Sequence, residues 1–150
     1  MESLKEYNPQ MHSAEHILNQ TMVRMFGCER SFNNHIEKKK SKCDFHFPHP
    51  LSETETQELE KRVNDVIKSA LQITATSHPA DDAVKLFNLK KIPDDQRGTI
   101  RIIHIGDYDS CPCIGQHVGN TADIINFRII SSSWENDVLR IRFKAGNNQK

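Results

Sequence analysis

Two pairs of metal-binding residue types lie near opposite ends of the sequence. His12 and His16 are four residues apart, so on a helix both imidazoles project from one face. Cys113 and His117 repeat this spacing near the other end of the chain. Three imidazole nitrogens and one thiolate suit zinc better than magnesium or calcium, which prefer oxygen ligands. The sequence therefore predicts a zinc site made of these four residues.

Each motif also has a simpler explanation. A His-x-x-x-His pair on an amphipathic helix is most often two histidines at the boundary of the buried stripe, and Cys-x-x-x-His alone is hardly more specific. Glu15 turns the first motif into His-x-x-Glu-His, the inverted metallopeptidase pattern in which the glutamate is the general base. The interpretation that we favour is that Glu15 is a solvated helix residue. A third hypothesis is a non-catalytic zinc-stabilised RNA-binding module, in which the metal serves folding only.

Length and composition limit the classes of protein to which such a site can belong. The 150 residues form one uninterrupted alternation of patterned segments, so we expect a single domain over residues 1–150. Because 20 basic residues balance 20 acidic ones, any RNA contact must be local. Residues 1–10 contain no signal-like apolar core, and no run of about 18 apolar residues occurs. With four irregularly spaced cysteines, this predicts a soluble, cytoplasmic protein with reduced thiols and no membrane partner.

Apolar residues recur at helical spacing in two long segments. The first predicts a helix over residues 10–26, and Gly27 supplies its stop signal. The second follows Ser52, which forms a capping box with Glu55 and opens a helix over residues 53–71. The first helix carries the two histidines at the border of its apolar stripe.

Alternating apolar and polar residues predict the strands. The fourth of them ends at Gly106 and Asp107 and leads directly to the cysteine motif. After the third strand we expect a short helix over residues 79–86 and a polar loop over residues 90–98. Two helices with several short strands predict an α+β fold, a mostly antiparallel sheet with the helices packed on one face. The predicted strands cover residues 33–37, 42–47, 72–77, 100–105, 125–131 and 138–144.

The two motifs, in this order and at this separation, resemble those of the editing domains of alanyl- and threonyl-tRNA synthetases and of their free-standing AlaX-type relatives. This resemblance implies an editing-domain fold and trans-acting hydrolysis of mischarged aminoacyl-tRNA at a zinc site. Its implied substrate is serine or glycine on the alanine tRNA, with serine on the threonine tRNA as the alternative. Aminoacyl-tRNA is the implied partner, and no obligate protein partner is evident. The resembling segments are residues 12–18, 34–36, 43–45, 51–52, 106–108, 113–118, 121–124 and 127–130.

The sequence departs from the family pattern inside the second motif. Ile114, Gly115 and Gln116 stand where alanine-type members usually have Gly-Gly-Thr and threonine-type members have a proline before the histidine. The second motif therefore does not identify which amino acid and which tRNA are edited. Cys111, two residues before Cys113, is an extra thiol that is either idle or an alternative ligand.

The chemistry that the resemblance implies is the hydrolysis of an activated ester. A zinc ion can polarise the ester carbonyl or lower the pKa of a bound water to about 7. Four protein ligands would fill a tetrahedral shell, so either the shell expands or one ligand is loose. Gln116 and Asp107, together with Asp109, are the candidate catalytic residues that could direct the water, although each fits a turn equally well.

Substrate contacts are predicted from polar and basic residues close to the motifs. A pocket that hydrogen-bonds a hydroxyl can discriminate by about 10⁴ to 10⁵, so a serine-reading pocket needs a fixed polar partner. Ser13, Gln116 and Thr121 are the candidates, and each could equally be a cap or turn residue. Phosphate contacts require clustered cations, which on an exposed hairpin can also be only a solubilising surface. The candidates are Lys38, Lys39, Lys40 and Lys42, with Arg140, Arg142 and Lys144 as a second stripe.

Overall fold

The structure, a computed structural model, describes residues 8–37, 39–79 and 99–146. It contains two long helices and two antiparallel sheets, which confirms the α+β prediction. Among the described residues no helix is long and apolar enough to cross a membrane. In chain order the elements are α1 (Pro9–Phe26), β1 (Asn33–His35), β2 (Ser41–His46), α2 (Glu53–Lys68), β3 (Ile73–Pro79), β4 (Thr99–Ile105), β5 (Asp109–Pro112), a 3₁₀ turn (Thr121–Asp123), β6 (Arg128–Glu135) and β7 (Val138–Lys144).

Helix α1 begins and ends with strong local signals. The Asn8 side chain accepts a hydrogen bond from the Met11 amide, and Pro9 occupies the first turn, where its missing N–H costs nothing. At the other end, Gly27 adopts a left-handed conformation with φ of 68° and donates to the Val23 carbonyl. The prediction of a helix over residues 10–26 that stops at Gly27 is confirmed.

Helix α2 has the predicted capping box but is shorter than predicted. The Ser52 hydroxyl accepts from the Glu55 amide at 3.0 Å, and the Glu55 carboxylate accepts from the Ser52 amide at 2.9 Å. The helix ends at Lys68 rather than at residue 71, because Ala70 takes a left-handed φ of 55°. Propensity did not show this break, since alanine is a strong helix former.

The larger sheet has the strand order β1-β2-β7-β6, with every neighbouring pair antiparallel. Strand β6 continues past the predicted end at Ser131 as far as Glu135. The turn to β7 is therefore formed by Asn136 and Asp137, whose positive φ values of 53° and 63° fit a two-residue hairpin. A one-residue bulge at Ile130 shifts the register between these strands.

Both helices cover one face of this larger sheet, as predicted, and the core lies between them. Alternate residues of β2 and β7 face the helices, while the residues between them face outward. Helix α1 supplies one apolar stripe to this core and α2 the other. The largest core side chains are Met11, Ile17, Leu18, Met22, Phe45, Leu59, Ile105, Leu139 and Phe143, each with no exposed area.

The smaller sheet, ordered β3-β4-β5, corrects two predictions. The chain does not pass directly from Gly106 to the cysteine motif, because residues 109–112 first pair with β4 as strand β5. Residues 109–112 show no apolar alternation in the sequence, and they form a strand because they pair with the edge of β4. The predicted helix over residues 79–86 does not begin at Pro79, which ends β3 opposite Thr99. The rest of that segment and the predicted loop over residues 90–98 lie outside the described residues.

Candidate metal centre

The first turns of α1 and the loop after β5 bring the four predicted ligands together. His12, His16, Cys113 and His117 each offer one ligand atom, and these atoms all lie within 4.8 Å of one another. The Nε2 atom of His12 is 3.2 Å from the Cys113 sulfur. Both residues from α1 are buried, whereas Cys113 and His117 are half-buried, so the cluster opens toward the loop. A soft N₃S donor set of this kind suits zinc.

Two of the imidazoles are oriented through their Nδ1 atoms. His12 Nδ1 donates to the Gln116 carbonyl oxygen at 3.1 Å. His117 Nδ1 is 3.0 Å from the Ser13 hydroxyl oxygen, which also accepts from the Val118 amide. The Nε2 atom of His117 is buried and has no hydrogen-bond partner among the described residues. A buried imidazole nitrogen without a partner is costly unless it binds something, so this atom supports a metal in the cluster.

The third imidazole lies beside a buried carboxylate that belongs to the unpredicted strand β5. Asp109 Oδ2 is 3.7 Å from His16 Nδ1, an ion-pair distance that is too long for a hydrogen bond. The Asp109 carboxylate also accepts from Arg30 at 2.7 Å and from Gln20 at 2.8 Å. Burial by itself would raise the pKa of Asp109, but His16 and the Arg30 charge outweigh it and lower that pKa. The Asp109 carboxylate is therefore negatively charged and stabilises His16 beside it.

The cysteine loop is held in place by Arg101 of β4, a residue that sequence reasoning did not find. Its guanidinium donates to the carbonyl oxygens of Cys113 at 3.1 Å and of Gly115 at 2.9 Å. The Cys113 amide donates in return to the Arg101 carbonyl at 3.1 Å. Strand β4 thus positions the loop although it contributes no ligand.

The electrostatics of the cluster favour the protonation states in which Cys113 and His117 can bind a metal. Burial raises the pKa of Cys113, but its interactions with the imidazoles of His117, His12 and His16 outweigh this effect and lower the pKa to about 3. Burial lowers the pKa of His117 to about 4, so this imidazole is neutral near pH 7. Metals bind the thiolate and the neutral imidazole, so both of these pKa shifts favour metal binding.

The pKa of His16 is raised, in contrast to that of His117. Burial by itself would lower it, but the Glu15 charge, Asp109 and Cys113 outweigh that effect and raise the pKa to about 9. Metal binding would therefore release a proton from His16. The neighbouring thiol of Cys111 differs from that of Cys113, because burial raises its pKa to about 12 and it stays protonated.

Glu15 is not the solvated helix residue that we expected. It is only 7% exposed, and its Oε1 lies 3.9 Å from His12 Nε2 and 3.8 Å from His16 Nε2. The expectation failed because helical spacing alone does not show that the loop after β5 covers this side of α1.

The other predicted catalytic and substrate-binding residues are spread out. Asp107 is exposed in the turn between β4 and β5, and Gln116 has an exposed side chain at the mouth of the cluster. Thr121 is fully buried at the end of α2, where its hydroxyl lies within hydrogen-bonding distance of the Val66 and Ile67 carbonyls and accepts from the Leu71 amide. The structure thus places Gln116 and Ser13 at the cluster, and uses the Thr121 hydroxyl to hold the end of α2.

The two predicted basic stripes meet on the outer face of the larger sheet. Lys38 lies outside the described residues, Lys39 and Lys40 are exposed, and Lys42 is half-buried. Strand pairing sets Lys42 opposite Arg142. We define the cationic face as this group of exposed and half-buried residues: Lys39, Lys40, Lys42, Arg128, Arg142 and Lys144.

Comparison with known proteins finds sequence similarity to parts of aminoacyl-tRNA synthetases. Residues 100–142 match the family described as "Threonyl and Alanyl tRNA synthetase second additional domain". The chain is 34% identical over 138 residues to an alanine–tRNA ligase of Caldicellulosiruptor saccharolyticus, covering 91% of this chain and 16% of that protein. It is 29% identical to the Treponema denticola enzyme over 87% of this chain and 22% of the relative.

A chloroplastic/mitochondrial alanine–tRNA ligase of Oryza sativa subsp. indica is 29% identical over 91% of this chain and 14% of its own length. The chain therefore spans less than a quarter of the length of each of these relatives. The relatives match most of this chain, which confirms the resemblance on which the sequence prediction rested.

Proposed function

This chain is an AlaX-like domain related to the editing domains of alanyl- and threonyl-tRNA synthetases, and on that premise we propose that it hydrolyses mischarged aminoacyl-tRNA in trans. The observation that carries the proposal is the convergence of His12, His16, Cys113 and His117 at one half-open cluster. The reaction is the hydrolysis of the ester between the amino acid and the terminal ribose. All four cysteines of the chain are free thiols, which supports a cytosolic site of action.

The chain's own residues hold and orient the reactive centre. A zinc ion bound by the four ligands would supply a Lewis acid that polarises the ester carbonyl. The Gln116 carbonyl and the Ser13 hydroxyl fix two of the imidazoles, and Asp109 accompanies the third. Because these partners are already in place, the cluster needs little rearrangement to bind the metal.

The opening of the cluster suggests where the aminoacyl group enters. Ile114 is 66% exposed and the Gln116 side chain is exposed, so both stand at the mouth formed by the cysteine loop. We propose that the exposed side-chain amide of Gln116 contacts the aminoacyl group or the terminal ribose of the substrate.

The substrate that we favour is serine or glycine on the alanine tRNA. The support is the similarity to three alanine–tRNA ligases over 87% to 91% of this chain. Serine on the threonine tRNA is the second candidate, because the matching family includes threonyl as well as alanyl enzymes. The cationic face is our candidate for contacting the tRNA phosphates, since charge there is local while the whole chain is neutral.

One panel of substrates tests the proposal. Zinc-loaded protein is incubated with serine, glycine and alanine esters of the alanine tRNA and with serine on the threonine tRNA, and ester loss is followed with time. We expect the serine and glycine esters of the alanine tRNA to be hydrolysed and the alanine ester to be spared. His117→Ala should abolish hydrolysis, whereas His49→Ala, an exposed histidine outside the cluster, should not.

The same panel separates the alternatives. If only the threonine tRNA ester is hydrolysed, the second substrate candidate replaces the first. If the protein binds zinc in a 1:1 ratio but hydrolyses no ester, the domain is a non-catalytic zinc-stabilised module and the deacylase proposal fails. Cleavage of peptides in place of esters would instead support the inverted metallopeptidase.

A further inference from the structure

An exposed aromatic side chain lies at the edge of the larger sheet, outside the metal centre. Phe32, just before β1, is 50% exposed, although burying a phenyl ring would remove a large apolar area from water. Its ring stacks on that of His46, with centroids 4.1 Å apart and planes inclined by 15°. His46 is the last residue of β2 and is itself exposed. We define the ring platform as these two stacked side chains.

Backbone contacts hold the ring platform in place. The Phe32 amide donates to the Asp44 carbonyl oxygen at 2.9 Å, which continues the pairing of β1 with β2. Immediately before it, the Ser31 amide donates to the side-chain oxygen of the buried Asn19 at 2.6 Å. An exposed ring that is already positioned loses little conformational freedom when it binds a planar ligand.

A groove of about 410 Å³ adjoins the ring platform, and His46 is one of the residues that line it. The rings of Phe26, Phe47 and His49 also line this groove. Phe47 lies edge-on to Phe26 and to His49, at centroid separations of 5.1 and 4.8 Å. The one acidic residue in its lining is Glu29. Aromatic and imidazole rings at a surface are the side chains on which RNA-binding proteins stack unpaired bases.

The cationic face extends along the outer surface of the same sheet. Lys42 and His46 are four residues apart on β2, so both project outward, about 13 Å from one another along the strand. Asp44 lies between them, but both of its oxygens accept from Arg140, which neutralises its charge. Rings that can stack bases, next to cations that can contact phosphates, fit a single-stranded nucleic acid.

The segment that carries Phe32 also reaches the metal centre. Arg30, two residues earlier, donates to Asp109, the carboxylate beside His16. The Cα atoms of Arg30 and Phe32 can be at most about 7 Å apart. The ring platform is therefore within reach of a nucleotide close to one that lies at the metal cluster.

We propose that the ring platform stacks an unpaired base near the 3′ end of the tRNA while the terminal ribose and its ester lie at the metal cluster. This inference rests on the tRNA partner put forward in the proposed function. Stacking would hold the single-stranded end without reading its sequence, because every base has a planar face. The cationic face would then contact phosphates of the same RNA.

A fluorescent base tests the ring platform without relying on catalysis. 2-Aminopurine, whose emission depends on stacking, replaces each unpaired 3′-terminal nucleotide of uncharged alanine tRNA in turn. We expect zinc-loaded wild-type protein to change the emission at one position at least, and Phe32→Ala to lose that change. The affinity for tRNA should fall about 5- to 140-fold, because stacking on an aromatic side chain contributes about 1 to 3 kcal/mol per base.

Two further substitutions at the same position separate stacking from apolar contact. Phe32→Leu keeps an apolar side chain without a ring and should behave like Phe32→Ala, whereas Phe32→Trp should keep the emission change and the affinity. Ile125→Ala, at another exposed apolar residue, is the control and should match the wild type. Wild-type binding by Phe32→Leu would overturn the inference. Should Phe32→Ala not fold by circular dichroism, the Leu and Trp variants decide the question.

Deacylation by the same variants separates this inference from the proposed function. Phe32→Ala should raise the KM for mischarged tRNA by the factor seen in binding. If the wild type hydrolyses the ester and Phe32→Ala keeps its KM and emission change, the inference fails while the deacylase stands. If no ester is hydrolysed but the emission change still depends on Phe32, the deacylase fails and the ring platform stands. If Phe32→Ala only dissociates a wild-type dimer in sedimentation, the platform binds a second copy and the inference fails.

Discussion

Helix α1 presents two buried stripes that differ in what covers them. The apolar stripe, which includes Ile17 and Leu18, packs against α2 and the larger sheet, and these side chains have no exposed area. The polar stripe includes His12, which is 5% exposed, and His16, which is 3% exposed. It lies under the cysteine loop and strand β5. Burial is thus nearly equal on the two sides, although the side chains have opposite character.

The difference lies in how the burial is stabilised. Apolar contacts are non-directional, so the apolar stripe contributes to the free energy of folding through buried area and packing. The polar stripe requires partners at set positions, such as the Gln116 carbonyl for His12 and Asp109 for His16. We therefore expect changes in the first stripe to lower stability, and changes in the second to lower metal affinity and activity.

The largest expected effect is at Cys113, the only thiolate of the polar cluster. Cys113→Ser removes a ligand whose lowered pKa keeps it anionic. Because metal polarisation contributes several kcal/mol to such reactions, deacylation should fall by about 10³-fold and zinc content should drop with it. Metal analysis and deacylation rates on one sample measure both. Cys28→Ser, at a half-buried thiol outside the cluster, is the control, and full activity in Cys113→Ser would contradict the assignment.

A core substitution on the same helix should give the opposite pattern. Leu18→Ala removes a fully buried side chain and should lower the free energy of unfolding by about 2 to 5 kcal/mol. The folded fraction should keep the metal affinity of the wild type, because Leu18 lies on the apolar stripe. Urea unfolding of the metal-free protein and a Co²⁺ titration measure the two effects. A large loss of affinity in folded Leu18→Ala would show that the stripes are coupled.

Asp109 tests whether the polar stripe depends on partners from the smaller sheet. Asp109→Asn keeps the shape but removes the charge beside His16 and Arg30. Loss of such a supporting group typically weakens metal affinity about 10- to 100-fold. Competition with a zinc chelator measures the change, and Asp107→Asn, in the exposed turn before β5, is the matched control. Equal affinities for the two variants would show that His16 needs no support from β5.

A smaller, pH-dependent effect is expected on the outer face of the larger sheet. Arg140 donates to both oxygens of Asp44 at 2.7 and 2.9 Å and holds the pKa of that carboxyl below its usual range. A lowered pKa stabilises the fold above the unfolded value of about 3.9, and the contribution is lost as pH falls through the folded pKa. Because Arg140 is partly exposed, the contribution should be about 1 kcal/mol.

Unfolding measurements between about pH 7 and pH 2 follow this contribution. Asp44→Asn should be less stable than the wild type by a constant amount near neutral pH. The difference should shrink in acid and vanish once the wild-type carboxyl is protonated. A difference that stays constant into strong acid would mean that packing, rather than the ion pair, accounts for it.

The smallest effect is expected at the cationic face, which lies outside both stripes. Lys39→Glu combined with Lys40→Glu should raise the KM for tRNA and leave kcat unchanged. The dependence of the logarithm of tRNA affinity on the logarithm of salt concentration should become shallower by about one per lost phosphate contact. Lys61→Glu with Lys68→Glu, on the exposed side of α2, is the control pair. If deacylation by the first pair is unchanged at low salt, the cationic face does not contact tRNA.

Local rules predicted the helices and the motif pair. The stop at Gly27 and the Ser52–Glu55 capping box depend on residues within a few positions of one another, and both are present in the structure. The spacing of His12 and His16 likewise depends only on the helical repeat. Local rules did not predict β5, because residues 109–112 carry no alternation and pair only when β4 lies beside them.

The sequence by itself determined which residue types were available for a soft-metal site and that α1 would present two of them on one face. Only the tertiary structure decided what surrounds them. Asp109 lies 89 residues from the Gln20 side chain that it contacts, and Glu15 is buried only because the distant loop folds over α1. Partners this far apart follow from the packing of the sheets and helices, which no periodicity within a single segment encodes.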